Sequence, residues 1–323
     1  MYSKLPVSSI QPFLTGSLET VNHQPFNPMP LHLPFGLRDG RLLSIEEAAR
    51  GLACGCICPA CQEPLVAKKG ARHAHHFAHH RGSSCAYGLE TALHLKAKEI
   101  LEQARRITLP PVFLHRQQQP LFRAQLIRFD KVRVEQYLDG IVPDLVLEAG
   151  PKRLLLEIAA THPAPEKKRR RLQQLGWPAL EIDILPLARD LLHDFSRGFT
   201  SFSDGLIHGL AHKRWLFHPK KQGIEYRLRK EAAARPVRHR YFKGYHGYLV
   251  PDCPLNKRRW RSGFREGKSY ALLWQDCLYC PQCLEINFHN ETVGYRLSPQ
   301  EPKTVCCWGH LPLPRAPEWV STV

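Results

Sequence analysis

The sequence lacks any run of about 20 apolar residues, the length that spans the hydrocarbon core of a bilayer. Its N-terminus also lacks the charged start and apolar core of a secretory signal peptide. These two absences predict a cytoplasmic protein that has no membrane partner. Acidic residues are scarce as well, because 29 Asp and Glu stand against 46 Lys and Arg, a formal net charge of +17. Such an excess predicts a polyanionic partner, for which nucleic acid fits best, although a basic surface that only keeps the protein in solution is the alternative.

Cysteine, by contrast, is plentiful, and its positions predict metal sites. The eleven cysteines cluster between residues 54 and 85 and between residues 253 and 307, and in a reducing compartment such clusters are seldom disulfides. Two residues separate Cys58 from Cys61, and two separate His76 from His79, a spacing that lets four soft ligands close one structural zinc site. Buried free thiols are the alternative. Further ligands leave the choice of the histidine pair open: His73, His75, His80 and Cys85.

The distal cluster offers more ligands than one zinc ion can use. Its members are Cys253, Cys277, Cys280, Cys283, Cys306, Cys307 and His310. Cys280 with Cys283 and Cys307 with His310 form two pairs with matching gaps, which is the layout of a zinc ribbon. The two cysteines upstream can instead complete a site with Cys280 and Cys283. Together the two clusters predict about two structural zinc ions per chain.

Hydrophobic periodicity divides the middle of the chain into helices and strands. Apolar residues at helical spacing predict a helix over 89–104. Strands are predicted over 132–147 and 153–160, followed by a basic helix over 166–175 and a strand over 179–185. The predicted fold class is therefore α+β, with a mixed β-sheet flanked by helices.

Composition and motif positions predict five segments along the chain. They are a proline-rich extended N-terminal arm (1–45), a zinc-finger-like module (46–86), an α+β core (87–190), a basic connector (191–250) and a zinc-ribbon-like module (251–323). The connector carries basic, histidine-bearing stretches, which face either nucleic acid or solvent.

Two carboxylates lie on adjacent predicted strands. Asp144 precedes one apolar stretch, and Glu157 follows another, Leu154 to Leu156. An acid in a buried strand is costly unless it is paired or binds a metal. Hydrolysis of a phosphodiester needs such groups, because Mg²⁺ takes carboxylate oxygens while it activates a nucleophile. The pattern therefore predicts a Mg²⁺ site, and an ordinary hairpin with an edge acid is the alternative.

The order of these motifs resembles the CoiA-like competence family. The resemblance covers roughly residues 50 to 190. It rests on the Cys-x2-Cys pair, HHFAHH, Cys85, a helix with Glu90 and His94, Pro143-Asp144, and the stretch LEIAATHPAPEKKRRRLQQLGWPALEIDI that contains Glu157. The resemblance implies a nuclease of the PD-(D/E)xK type with a zinc-finger-like N-terminal region. It also implies that the substrate is incoming or foreign DNA and that the partners are other proteins of a DNA-processing or defence complex.

The resemblance implies roles for particular residues. Asp144 and Glu157 would bind the catalytic Mg²⁺, and Glu90 on the preceding helix would be a supporting acid. His94 lies one turn after Glu90 on the same helix face, so it is expected to face the same site.

One position departs from the family pattern. The third motif residue, usually Lys or Gln two positions after Glu157, is Ala159 here. Lys168, at the family's helical-lysine position, is the predicted substitute, because the helix that follows can bring it back over the strand's end. A role for Lys168 in binding phosphate within the run 167–171 is the alternative. The departure also leaves a second function open, a catalytically inactive, zinc-stabilised DNA-binding or complex-assembly subunit.

Overall fold

A computed structural model describes most of the chain. The described residues are 32–71, 74–82, 85–114, 117–160, 163–192, 198–242, 245–289, 292–293, 296–297 and 301–314. These ranges contain helices, a five-stranded sheet and several small sheets, so the predicted α+β class is confirmed. None of the helices in these ranges is long and apolar enough to cross a membrane. Most of the predicted arm, residues 1–31, lies outside the described residues.

The N-terminal module consists of two β-hairpins around a short 3₁₀ turn, Leu52–Cys54. Its strands are β1 (Phe35–Arg38), β2 (Arg41–Ser44), β3 (Leu65–Lys68) and β4 (His76–His79). β1 pairs with β2, and β3 pairs with β4, both antiparallel. Asp39 and Gly40 turn the first hairpin with φ of 49° and 75°, the backbone that a two-residue Asp-Gly turn adopts. Residues 35–44, predicted as part of an extended arm, are therefore a hairpin.

A long helix, α1 (Gly88–Ala104), confirms the helix predicted over 89–104. Its apolar residues recur three to four apart, so one face of the helix is apolar. Leu93, Ala97 and Leu101 on that face are fully buried in the main core. The helix ends at Ala104, because the next residue, Arg105, has a φ of 48° that breaks the helical path.

The central part of the chain forms the main sheet and the helices around it. Its elements are β5 (Arg106–Leu109), β6 (Gln125–Arg128), β7 (Lys131–Val134), β8 (Leu145–Ala149), β9 (Lys152–Ala159), α2 (Glu166–Leu175), β10 (Ala179–Asp183), α3 (Ile184–Leu192), α4 (Gly198–His208), β11 (Lys213–Phe217) and α5 (Pro219–Glu231). The sheet has the order β11-β10-β9-β8-β7. Only β9 and β10 run parallel, joined through α2, and this crossover brings the ends of both strands to one edge of the sheet.

Three boundaries differ from those predicted. The strand predicted over 132–147 is two strands, β7 and β8, because Asp139 and Gly140 have positive φ and reverse the chain between them. The strand predicted over 179–185 ends at Asp183 and passes directly into α3. β11, within the predicted connector, pairs with β10, so the main sheet extends beyond residue 190.

The C-terminal part of the chain is built from short strands around a cysteine-rich core. Its strands are β12 (Ala233–Pro236), β13 (Arg238–Phe242), β14 (Tyr245–Pro251), β15 (Arg258–Arg259), β16 (Ser269–Leu272), β17 (Cys283–His289), β18 (Thr292–Val293), β19 (Arg296–Leu297) and β20 (Glu301–Cys307). One sheet has the order β13-β14-β16-β15 and another β12-β20-β17. The buried Trp308 packs in one cluster with Leu228 of α5 and with Phe122, which ties this part to the centre of the chain.

Candidate functional site

The first two acids of the candidate site meet where β8 begins and β9 nears its end. Leu145 pairs with Leu156 in the antiparallel register, so Asp144 and Glu157 are cross-strand neighbours. The backbone amide of Ile158 donates a hydrogen bond of 2.7 Å to Oδ2 of Asp144. Both carboxylates are largely buried. The sheet thus holds two acids side by side out of bulk water.

Asp144 is stabilised as an anion by groups from α1. Nε2 of His94 lies 3.0 Å from its Oδ1, and Nζ of the buried Lys98 lies 3.2 Å from the same atom. Lys98 also forms an ion pair of 2.6 Å with Glu135. Burial raises the pKa of Asp144, but His94, the Ile158 amide and Lys98 outweigh it and lower the pKa to about 2. Asp144 therefore stays charged at neutral pH.

Glu157 lies in the opposite electrostatic situation. Burial raises its pKa to about 7, and the neighbouring Asp144 adds to this effect, although Lys168 counteracts it. Nζ of Lys168 lies 2.6 Å from Oε2 of Glu157 and donates a second hydrogen bond, of 2.9 Å, to the carbonyl oxygen of Val142. Oε1 of Glu157 is buried and has no hydrogen-bond partner within the described residues. Such an orphaned oxygen is costly unless another group comes to it.

Lys168 reaches this site from the first turn of α2. The preceding Lys167, about 100° around the helix, is exposed to solvent. Ala159, at the position of the family's third motif residue, ends β9 two residues beyond Glu157. The structure thus brings a lysine to Glu157 from the helix rather than from the strand, as predicted; its catalytic role stays a prediction.

Glu90, the predicted supporting acid, lies on α1 and is half-buried. The α1 residues that contact Asp144 are His94 and Lys98, one and two turns further along the helix. His94 therefore faces the site, as expected from its place on the helix.

Glu181 is a third buried acid that the sequence interpretation missed. It lies on β10 directly beside Glu157 in the parallel register and is 1% exposed. Its Oε2 accepts a hydrogen bond of 2.8 Å from the amide of Ala164, and its Oε1 accepts one of 2.6 Å from Nε of Arg214. Its charge contributes to the raised pKa of Glu157. The signal was present, because Glu181 interrupts an apolar run of residues, as Glu157 does.

A cleft of about 240 Å³ opens beside this third acid at the edge of the sheet. It is lined by Ala159, Ala160, Pro163, Glu181, Asp183, His212, Lys213 and Arg214. The lining contains both acids and bases, and Ala159 leaves open the space that a longer side chain would fill. Of the three acids, Glu181 lines this cleft, and Glu157 lies beside it on the neighbouring strand.

A separate group of metal ligands lies in the N-terminal module. The ligand atoms of Cys58, Cys61, His79 and Cys85 all lie within 4.8 Å of one another. Sγ of Cys61 is 3.3 Å from Nε2 of His79. Gly88, at the start of α1, packs closely against this group, because a Cβ there would lie 3.1 Å from Sγ of Cys58. This Cys₃His group can bind a metal such as zinc.

This group corrects the predicted ligand set, in which His76 stood in place of Cys85. His76 and His79 are three residues apart on β4, and side chains alternate between the faces of a strand, so the two histidines point to opposite faces. His76 instead stacks on His32, with ring centroids 4.2 Å apart, and its Nδ1 lies 2.8 Å from the carbonyl oxygen of Ala74. Cys85 joins because the chain returns to the cluster just before α1.

The distal cysteines also converge, but less closely. Five of them line one small cavity of about 20 Å³: Cys253, Cys277, Cys280, Cys283 and Cys307. Among the described residues, ligand groups that all lie within 4.8 Å of one another occur only in the N-terminal cluster. His310, predicted as a ligand, is exposed and is not part of the cavity wall. The cavity wall therefore includes Cys253 and Cys277, the two upstream cysteines that the sequence offered as alternative ligands.

These observations define a mixed α+β protein with a Cys₃His cluster and a separate site of buried acids on its main sheet. Residues 46–88 match the family model described as "Competence protein CoiA, N-terminal domain". This part of the chain is therefore similar to the CoiA N-terminal domain, which confirms the resemblance to the CoiA-like competence family over these residues. The match contains all four members of the Cys₃His group and ends before the acids of the main sheet. No curated protein and no solved structure matches the chain.

Proposed function

We propose that the protein is a Mg²⁺-dependent deoxyribonuclease of the PD-(D/E)xK type. The observation that carries the proposal is the arrangement of Asp144, Glu157 and Lys168, with two acids and a lysine converging at the ends of adjacent strands. Hydrolysis of a phosphodiester uses carboxylates that hold Mg²⁺ and a cation beside them, and this arrangement offers both.

The carboxylates fit Mg²⁺ as hard oxygen ligands. Asp144 is charged at neutral pH, and the orphaned Oε1 of Glu157 offers an oxygen whose burial calls for a partner. These two residues would hold the ion. When bound, Mg²⁺ would supply Lewis-acid activation of water and neutralise charge on the phosphate.

The protein's own groups have separate roles in this proposal. His94 and Lys98 keep Asp144 ionised and fix its orientation. Lys168 orients the attacking water and offsets the negative charge that develops on the phosphate, in place of a lysine at Ala159. Glu181 holds the backbone at Ala164, two residues before α2, and so fixes the position of the helix that carries Lys168.

DNA is the proposed substrate because of the protein's charge. The net charge of +17 favours a polyanion, and four Lys or Arg residues accompany Lys168 on α2, namely Lys167, Arg169, Arg170 and Arg171. The match to the CoiA N-terminal domain supports a role in competence, so we propose that incoming or foreign DNA is processed in the cytoplasm, together with other proteins of a DNA-processing complex.

Structural zinc completes the proposal. The Cys₃His group would hold one zinc ion, and four of the five thiols around the distal cavity would hold a second. Both sites would stabilise small modules that have little apolar core of their own.

A catalytically inactive DNA-binding or assembly subunit is the second candidate. The observation that favours it is Ala159, which removes the family's third motif residue from the strand. The two candidates differ in one experiment, in which the purified protein is incubated with plasmid and with linear DNA, with and without Mg²⁺. Cleavage that requires Mg²⁺ supports the nuclease. Binding of both DNAs with no cleavage in Mg²⁺ or Mn²⁺ supports the inactive subunit.

A further inference from the structure

The hairpin formed by β15 and β16 concentrates positive charge. We call residues 258–272 the basic hairpin. The stretch 257–268 contains six Lys or Arg residues and one acid, Glu266. Arg258 forms an ion pair of 2.6 Å with Asp276. Arg261 and Arg265, in contrast, have no ion pair with any residue that the structure describes. Their charges remain available to an anion from solution.

The tip of the basic hairpin presents an aromatic ring to solvent. Phe264 is 98% exposed, and the ammonium group of Lys268 lies 5.9 Å from the centre of its ring. Gly263 and Gly267 flank this tip with φ of 86° and 78° and allow the chain to turn there. An aromatic side chain in water contributes nothing to the core and costs the free energy of its exposed apolar surface. Its position therefore fits a partner with flat, apolar faces.

The base of the basic hairpin is ordered by stacked groups. The ring of Trp260 stacks on that of Tyr270 with centroids 4.5 Å apart, and the guanidinium group of Arg240 on β13 lies 5.2 Å from the Trp260 ring. Backbone hydrogen bonds join Trp260 to Lys268 and Gly267 to Trp260. The loop that carries Phe264 is thus closed on an ordered base, so a bound ligand would not have to order it.

We propose that the basic hairpin binds single-stranded DNA, with Phe264 stacked on a base and Arg261, Arg265 and Lys268 next to the phosphates. Aromatic rings interleaved with cations are the combination that binds single strands, because every base has a flat face and every nucleotide a phosphate. A duplex hides its base faces inside the helix, so an exposed ring favours the single strand over the duplex. The choice of DNA as the nucleic acid rests on the proposed function.

The test measures binding of the full-length protein to a fluorescent dT20 strand and to a 20-base-pair duplex, without added Mg²⁺ so that no cleavage occurs. We expect Phe264→Ala to weaken dT20 binding about tenfold and duplex binding less than about twofold. Phe264→Trp, which keeps an aromatic ring, should bind dT20 as tightly as the parent protein. Arg261→Gln should lower the slope of log affinity against log salt for dT20 by about 0.7. Two control variants lie outside the basic hairpin in the same part of the chain. Tyr279→Ala removes another exposed aromatic ring, and Lys303→Gln removes another exposed positive charge.

The outcomes separate this inference from the proposed nuclease. Equal loss of dT20 and duplex binding in Phe264→Ala, no loss at all, or the same loss in Tyr279→Ala would overturn the single-strand site. Tighter binding of a U20 RNA than of dT20 would overturn DNA as its occupant. A protein that never cleaves DNA but loses dT20 binding in Phe264→Ala keeps the inference and loses the nuclease proposal. Cleavage with an unaltered Phe264→Ala affinity keeps the nuclease proposal and overturns the inference.

Discussion

The ammonium group of Lys168 lies 2.6 Å from Oε2 of Glu157, although the two residues belong to a helix and a strand that residues 160–165 separate along the chain. The strand position that would otherwise carry a lysine holds Ala159. One cation therefore reaches the acid from a different element. Substitution of Lys168 can therefore test whether this lysine is catalytic or only binds phosphate.

We predict that Lys168→Ala lowers the single-turnover rate of DNA cleavage about a hundredfold, with little change in DNA affinity, because water orientation and charge compensation are lost. Lys167→Ala, which removes the exposed neighbour, should change neither quantity. If both variants instead weaken binding slightly, lower its salt dependence by about one unit and still cleave at saturating DNA, Lys168 only binds phosphate.

The metal content gives a second prediction. We expect about two zinc ions per chain by elemental analysis of protein purified without chelators. Cys85→Ser should reduce this to about one, because it removes a member of the Cys₃His group, whereas His76→Ala should leave it unchanged. The ligand assignment fails if the effects of the two variants are exchanged, and the zinc proposal fails if the parent protein contains almost none.

The raised pKa of Glu157 predicts a pH-dependent stability without Mg²⁺. Its pKa is about 7 in the folded protein, against an ordinary value of 4.5. Between pH 4.5 and 7, the folded state therefore keeps a proton on Glu157 that the unfolded state has lost. Wild-type stability should therefore fall as the pH rises from about 4.5 to 7. Glu157→Gln lacks this loss, and its advantage over wild type should grow by about 3 kcal/mol over that window. Urea unfolding at several pH values measures the difference, and one that does not change with pH contradicts the assignment.

The charge of Glu181 predicts a shift in the pH dependence of cleavage. Glu181 contributes to the raised pKa of Glu157, so Glu181→Gln should lower that pKa and move the acid limb of the rate profile to lower pH. Glu148→Gln, which neutralises an acid on β8 that is paired with Arg133 and Arg153, is the matched control. An acid limb that stays in place in Glu181→Gln, or moves equally in the control, would show that Glu181 serves only to hold the backbone.

Much of the local structure could be predicted from the sequence, because local signals determine it. The apolar spacing predicts α1 to within one residue, and the basic helix covers residues 166–175 as predicted. Asp39-Gly40 is a hairpin signal that the proline-rich composition around it obscured. Asp139-Gly140 is a second such signal, inside what was predicted as one strand.

The candidate sites depend on tertiary contacts, and there the sequence was less informative. Spacing alone favoured His76 as a ligand, and only the alternation of side chains on β4 shows that it points away from His79. Cys85 enters the cluster through the return of the chain before α1, which no local motif encodes. Glu181 pairs with Glu157 through the parallel register of β9 and β10, and that register is fixed by packing of the whole sheet.

Single-turnover cleavage of a labelled linear DNA at saturating protein is the most direct test of the proposed active site. The parent protein, Asp144→Asn and Glu157→Gln are compared in Mg²⁺, and DNA binding is measured in parallel without it. We predict that the parent cleaves only with Mg²⁺, and that each variant cleaves at least about a hundredfold more slowly while binding DNA within about twofold of the parent, since many Lys and Arg residues provide the affinity. A parent that does not cleave in Mg²⁺, or variants that cleave as fast as the parent, would contradict the proposed active site.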